Sequence, residues 1–125
     1  MMKVTGQIEF TITAQTADSV TAEMPVQAGI INPFGVAHAG AMLWFADVAA
    51  TVLAAGTADF VPGQAGFPLA INLNANLLGN QKDGVFTAKS IFVKKGRSVT
   101  VVRTTVTGND DRLIAEVTTT HVPAK

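Results

Sequence analysis

The sequence predicts an α+β domain in which a curved antiparallel sheet of about six strands wraps around one long central helix. Three observations carry this expectation. The stretch HAGAMLWFADVAATVLAAG, residues 38–56, holds fourteen hydrophobic residues and is too long for a strand. The segments on either side of it alternate apolar and polar residues with a period of two. The last segments are separated only by short turns, which join antiparallel neighbours and leave no length for a crossover.

Taken in order, QIEFTITAQ (residues 7–15) reads as the first strand and SVTAEMPVQ (19–27) as the second, with the turn-like Ala17-Asp18-Ser19 between them. The helix follows. Being apolar nearly all round, it reads as a core helix, with Trp44 and Phe45 inside. Its alanine and glycine content, the central Asp47 and the lack of flanking Lys or Arg argue against a membrane span. Residues 57–68, TADFVPGQAGFP, form a loop. In LAINLNANLL (69–78), Ile71, Leu73, Ala75 and Leu77 share one face and Asn72, Asn74 and Asn76 the other, which predicts a half-buried strand with a polar side. Three strands complete the sheet: GVFTAKSIFVKK (84–95), SVTVVRTTVTG (98–108) and RLIAEVTTTHV (112–122). Lys95-Gly96-Arg97 and Gly108-Asn109-Asp110-Asp111 are their turns. His121 falls near the end of the last strand and is assigned to the surface. A sheet of this kind leaves a strand edge open, so association through that edge or the helix is expected.

At 125 residues the chain forms one domain, residues 1–125, with no internal repeat or linker. It has no cysteine, which excludes disulfides, thiolate nucleophiles and cysteine-held metals and points to a reducing cytoplasm. With only two histidines, no metal site is expected. The opening MMKVTGQIEFTITAQ lacks the apolar run of an export signal. Net charge is zero but unevenly spread. Residues 1–81 carry Lys3 against five acidic side chains, whereas residues 82–125 carry eight basic and four acidic ones. The basic half has no run interleaved with aromatics, so nucleic acid is not expected; a phosphorylated small molecule suits it better.

Asp47 is the anomaly. An ionised carboxylate without partners is costly in an apolar setting, so its place in the middle of this helix calls for a reason. Structural bonding to a backbone group or a neighbouring chain is one such reason, and chemistry is the other.

The stretch NPFGVAHAGAMLWFADVAAT, residues 32–51, resembles the N-P-x-G-x-x-H-G-G-x-x-x-x-L-x-D/E-x-A pattern of hotdog-fold acyl-CoA thioesterases of the PaaI-like, phenylacetate-pathway type. The Asn32-Pro33 pair and the nine-residue step from His38 to Asp47 both match, and strand order, length and a later K-K-G-R-S turn extend the similarity over nearly the whole chain. One position departs: Ala39 stands where the family has glycine, with Gly40 retained. The resemblance implies a hotdog fold and hydrolysis of an acyl-CoA thioester to free acid and coenzyme A. It implies no cofactor, coenzyme A being part of the substrate, and a homodimer that assembles to a homotetramer.

Geometry bears on the same residues. On a helix, nine steps place Asp47 about 13 Å along the axis from His38 and roughly half a turn around it. The two cannot meet within one chain. A helix N-terminus offers unpaired N–H groups to a developing oxyanion, and a desolvated carboxylate suits base or nucleophile chemistry. For both to act on one carbonyl, Asp47 of one copy faces the 38–40 turn of another. The resemblance then assigns the oxyanion N–H to Ala39, and support of the turn or orientation of substrate and water to Asn32 and His38. Thr51, four residues beyond Asp47, shares its helix face. Asp47 acts either on water or directly on the carbonyl, and both remain open. In part of the family the strand after the loop adds a polar helper, but here that position is Ala70. Gly40 and Phe67 are expected to touch substrate, with Met42, Leu43, Phe45 and Phe60 lining an acyl pocket. Lys95 and Arg97, with Lys94, are the candidates for the coenzyme A phosphates.

Each assignment has a plainer alternative: a capping or packing histidine at 38, a turn at Asn32-Pro33, a threonine bonded to its own helix at 51, a solvated hairpin tip at 94–97. Two other functions compete. A hotdog acyl-thioester hydratase or dehydratase usually has an aspartate two residues before Asn-Pro, where this chain has Ile30. A non-enzymatic acyl-CoA-binding module has no use for Asp47.

Overall fold

The computed structural model describes all 125 residues. Six strands, β1 (Thr11–Gln15), β2 (Ser19–Pro25), β3 (Pro68–Leu77), β4 (Val85–Lys95), β5 (Thr100–Thr107) and β6 (Leu113–Pro123), form one sheet in the order β1-β2-β4-β5-β6-β3, with every adjacent pair antiparallel. One long helix, α1 (Ala39–Ala55), packs on the concave face against β2 to β6. No helix is long and apolar enough to cross a membrane.

Strand parity builds the core. Val20, Ala22 and Met24 of β2, Phe86 and Ala88 of β4, Val102 and Val106 of β5 and Ala115 and Val117 of β6 are buried together, facing the helix. From α1 come Met42, Phe45, Ala46, Ala49, Ala50, Val52 and Leu53. The small alanines let the helix axis approach the sheet. Gly56 ends the helix at φ 74°, its N–H reaching the carbonyls of Leu53 and Val52, a left-handed stop that suits glycine. The sheet does not enclose the helix completely. Gly40 and Trp44 are exposed and Asp47 and Val48 partly so, at the spacing of a single face.

Three expectations are corrected here. Trp44 is 56 % exposed rather than in the core, because it lies on that open face; it touches Phe10 edge-to-face at 6.4 Å. His121 is buried, because it shares strand parity with Ala115, Val117 and Thr119 and so points at the helix. The strand after the loop is not half-buried: β3 is the sheet edge beside β6, and only Pro68 is buried and Ala75 partly buried. A register shift between Ala70 and Asn72 makes Ile71 the extra residue, so Ala70, opposite His121, takes the helix-side position that simple alternation gives to Ile71.

The first strand starts later than its alternation suggests. Pro25 at the end of β2 has no N–H to offer, and the Gln27 side chain takes over the pairing: its amide nitrogen donates to the carbonyls of Glu9 and Pro25, and its oxygen accepts the Glu9 N–H. Beyond it the Gln7 N–H donates to the Gly29 carbonyl at 3.1 Å. The chains cross so closely there that a side chain at Gly29 would collide with the Gln7 backbone.

Candidate active site

The turn that launches α1 is tied from both sides. The Asn32 side-chain oxygen accepts the N–H groups of Phe34 and Val36, at 3.0 and 3.2 Å, while its backbone bonds Val36 and Gly35. Asn80, 43 residues away from Ala37, clamps that residue: its amide nitrogen donates to the Ala37 carbonyl at 2.9 Å and its oxygen accepts the Ala37 N–H. Sequence reading missed Asn80, since a Gly-Asn pair marks a turn without naming a distant partner. The His38 N–H donates to the Ile30 carbonyl at 2.8 Å, which sets the approach to the helix.

His38 occupies the N-cap with φ −60° and ψ 142°, and its side chain makes no capping bond. Ala39 and Gly40 follow as exposed first-turn residues whose N–H groups have no acceptor within the helix. A Cβ built on Gly40 meets nothing within 4 Å, so its own chain does not require glycine there. His38, Gly40 and Ala41 border a cavity of about 390 Å³ with Trp44, Ile30 and the N-terminal residues 4–8.

Asp47 belongs to a different cavity. With Val48 and Thr51 of the helix, Phe60 and Phe67 of the loop, and Pro68 and Ala70 of β3, it lines a pocket of about 240 Å³. No residue lines both this pocket and the one at the helix start. The Asp47 Oδ1 atom is shielded from solvent and has no hydrogen-bond partner. Burial pushes the Asp47 carboxyl above its ordinary value of 3.8, and the nearby His121 pulls in the opposite direction. Thr51 is buried in the same wall, and no hydrogen bond joins it to Asp47.

His121 also escaped the sequence reading as a site element. Its Nδ1 lies 3.2 Å from the Pro68 carbonyl oxygen and its Nε2 2.8 Å from the Thr119 hydroxyl. With Nδ1 donating to the carbonyl, Nε2 accepts from Thr119 in the neutral ring, and the hydroxyl turns to accept if the ring becomes charged. The imidazole therefore sits behind two walls of the Asp47 pocket, Pro68 and its ladder partner Ala70.

Two further expectations change. Met42 and Phe45 do not line an acyl pocket; they are buried on the sheet side of the helix, where Phe45 meets Phe10 at 5.3 Å. Lys95 and Arg97 do not share a site. The register shift between Phe92 and Lys94 makes Val93 the extra residue and turns Lys95 toward the end of α1, beside Leu53 and Gly56, with its ammonium 5.2 Å from the Phe92 ring centre. Arg97 borders a separate cavity of about 420 Å³ with Lys94, Gly96, Ser98 and Val99.

Known proteins agree with this architecture. The family described as the thioesterase superfamily matches residues 34–115. The chain belongs to that family. Among its relatives, a Bacillus subtilis (strain 168) protein named as an esterase, ComA2, is 31% identical over 103 residues, which is 82% of this chain and 79% of that protein. A mutant of a thioesterase enzyme from Staphylococcus aureus subsp. aureus Mu50 superposes with a TM-score of 0.85 at 26% identity, covering 94% of this chain and 95% of the other. A mutant thioesterase from Pseudomonas aeruginosa gives 0.80 at 26% identity, over 91% of this chain and 81% of the other. The fold is thus the hotdog fold of the thioesterase superfamily: one long helix held in a six-stranded antiparallel sheet.

Proposed function

We propose that the protein hydrolyses acyl-CoA thioesters, at a site completed by two copies of the chain. The observation that carries the reading is the Asp47 carboxylate: half-buried, with one oxygen shielded and unpartnered, in a pocket whose other walls are Thr51 and the apolar Val48, Phe60, Phe67, Pro68 and Ala70. A structural aspartate would have both oxygens bonded; this one is kept free at a desolvation cost, as a base or nucleophile requires.

The acyl group would occupy the Asp47 pocket of one copy, and the thioester carbonyl would lie at the helix start of the other. As a base, Asp47 takes a proton from water as the water oxygen bonds to the carbonyl carbon. The carbonyl π electrons move to oxygen, where the Ala39 N–H, pre-aimed at the end of a 17-residue helix, holds the charge. Re-formation of the carbonyl breaks the C–S bond, and the thiolate recovers the proton from Asp47. As a nucleophile, Asp47 bonds to the carbonyl carbon itself, expels the thiolate, and leaves a mixed anhydride that water opens. Gly40 keeps the approach to these donors free of side chain. Asn32 holds their turn, His38 stands at its mouth, and Thr51 offers a hydroxyl to water in the Asp47 pocket. Arg97, with Lys94 beside it, is the candidate for the coenzyme A phosphates.

Two features support a second copy. Asp47 lines one pocket, while the neighbours of Ala39 at the helix start, His38 and Gly40, border another that shares no residue with it. Strand β3, which walls the Asp47 pocket with Pro68 and Ala70, is an unpaired edge that exposes Leu69, Ile71, Leu73 and Leu77, apolar side chains that call for cover. Pairing of two such dimers gives the homotetramer, and a chain without cysteine suits the reducing cytoplasm. The test is a thiol-release assay over an acyl-CoA panel with wild type and Asp47→Asn in parallel. Turnover lost in the variant while acyl-CoA still binds is the expected result; a wild type that binds acyl-CoA without releasing thiol overturns the hydrolase and leaves a binding module.

A further inference from the structure

A second cavity, of about 510 Å³, lies beyond the Asp47 pocket, lined by Val61, Pro62, Leu69 and Ala124 among others. Phe60 and Phe67 are the only residues that line both. Their rings meet edge-to-face, centres 5.3 Å apart and planes at 70°, so one aromatic pair forms the partition.

The frame around the pair does not depend on the rings. Gln64 donates its backbone N–H to the Val61 carbonyl at 3.0 Å, and its side-chain oxygen accepts the Val61 N–H. Gly66 donates to the Ala124 carbonyl at 2.9 Å, and the Ala124 N–H to the Phe67 carbonyl at 2.8 Å. The loop is thus pinned to the end of β6 through its backbone. On the near side of the partition, about 240 Å³ falls below the roughly 300–1,000 Å³ of sites for drug-sized ligands; joined to the space beyond, the volume enters that range.

We propose that the Phe60–Phe67 pair is the length stop of the acyl site: it confines the native enzyme to compact acyl groups, and the cavity behind it is room for the distal methylenes of an unbranched aliphatic chain once either ring is removed. This rests on the acyl-thioester reading of the Asp47 pocket. The site's selectivity then lies in two loop side chains that do no chemistry.

The experiment compares wild type, Phe67→Ala, Phe60→Ala and Phe67→Leu on two series from butyl to dodecyl: alkyl-CoA thioethers, which cannot be hydrolysed, for affinity by calorimetry, and acyl-CoA thioesters for kcat/KM. In the wild type, affinity stops rising at short chains. In the alanine variants it continues to rise, by about fourfold for each methylene buried, and the kcat/KM optimum moves to longer chains. Phe67→Leu gives an intermediate profile and serves if Phe67→Ala does not fold. Superimposable length profiles for wild type and variants overturn the proposal, as does a wild type whose affinity already climbs through the whole series. The thioether series reads the partition even if no thioester is turned over, so failure of the hydrolase reading is seen separately.

Discussion

His121 Nδ1 lies 3.2 Å from the carbonyl oxygen of Pro68, and that bond ties the last strand of the sheet to the first residue of the strand that walls the Asp47 pocket. Both residues are buried, so the carbonyl has no water to turn to if the imidazole is lost. His121→Phe leaves the Pro68 carbonyl and the Thr119 hydroxyl without their partner, at a cost of about 1–3 kcal/mol for each group stranded, read as a lower Tm. His121→Asn separates the bond from the charge, because an amide nitrogen can stand where Nδ1 does. It should lose less Tm than the phenylalanine variant. Its acid limb of kcat/KM should move to higher pH, since a positive ring near Asp47 no longer favours the carboxylate. Unchanged acid limbs in both variants would leave His121 a packing residue only.

Asp47 itself carries a prediction with opposite signs for activity and stability. Burial raises the folded-state pKa above the ordinary 3.8, so the folded protein holds this proton more tightly than the unfolded chain. The group's contribution to stability is therefore most favourable in acid and declines as pH rises from the unfolded value through the folded one. Asp47→Asn removes the cost of a desolvated carboxylate. Its Tm at neutral pH should exceed that of wild type, and the difference should shrink on acidification. Turnover falls by about 10²–10⁴-fold, the share a positioned general base supplies. In the wild type, rate falls with acidification in a limb displaced upward from the ordinary Asp value. An Asp47→Asn protein less stable than wild type at neutral pH would mean that the carboxylate is a structural partner after all.

The helix and the number of strands were legible because each rests on a local pattern: 38–56 on a long, mostly apolar run, the strands on alternation. What alternation could not see is where it slips. The extra residues Ile71 and Val93 each reverse parity midway through a strand, and those two slips put Ala70 in the pocket wall and turn Lys95 away from Arg97. The position of β3 beside β6 is a long-range pairing that no short turn announces. His121 had a usable signal, for it continues the buried parity of Ala115, Val117 and Thr119, but polar residues at the end of that series read as surface. At the candidate site, Asp47 stood out by its charge in an apolar helix. Asn80 gave no such contrast, because its importance comes from a partner 43 residues away.

The start of the helix can be tested without disturbing it. Ala39 is the first helical residue, where an N–H has no intrahelical acceptor and proline is well tolerated, and His38 before it already has the extended backbone that proline prefers in its predecessor. Ala39→Pro thus removes one N–H and little else. Folding and Tm should stay close to wild type, while kcat drops about 10²–10³-fold, as for loss of an oxyanion donor. Retained turnover in a folded Ala39→Pro protein would move the oxyanion site elsewhere.

The two crippling substitutions also decide whether the site is shared. In a two-fold dimer, each site takes Asp47 from one copy and the Ala39 N–H from the other. A mixed dimer of Asp47→Asn and Ala39→Pro chains then has one site carrying both defects and one carrying neither. Each variant alone is nearly inactive, but mixing them under conditions that exchange subunits should restore thiol release, in proportion to the mixed dimer formed. If both groups came from one chain, every site in the mixture would carry a defect and no activity would return. The exposed edge of β3 supplies the control: Ile71→Lys, which places a charge on that apolar strand where it is 62 % exposed, should prevent pairing and abolish the rescue. Rescue that survives in a strictly monomeric Ile71→Lys background would show that β3 is not the surface through which the copies meet.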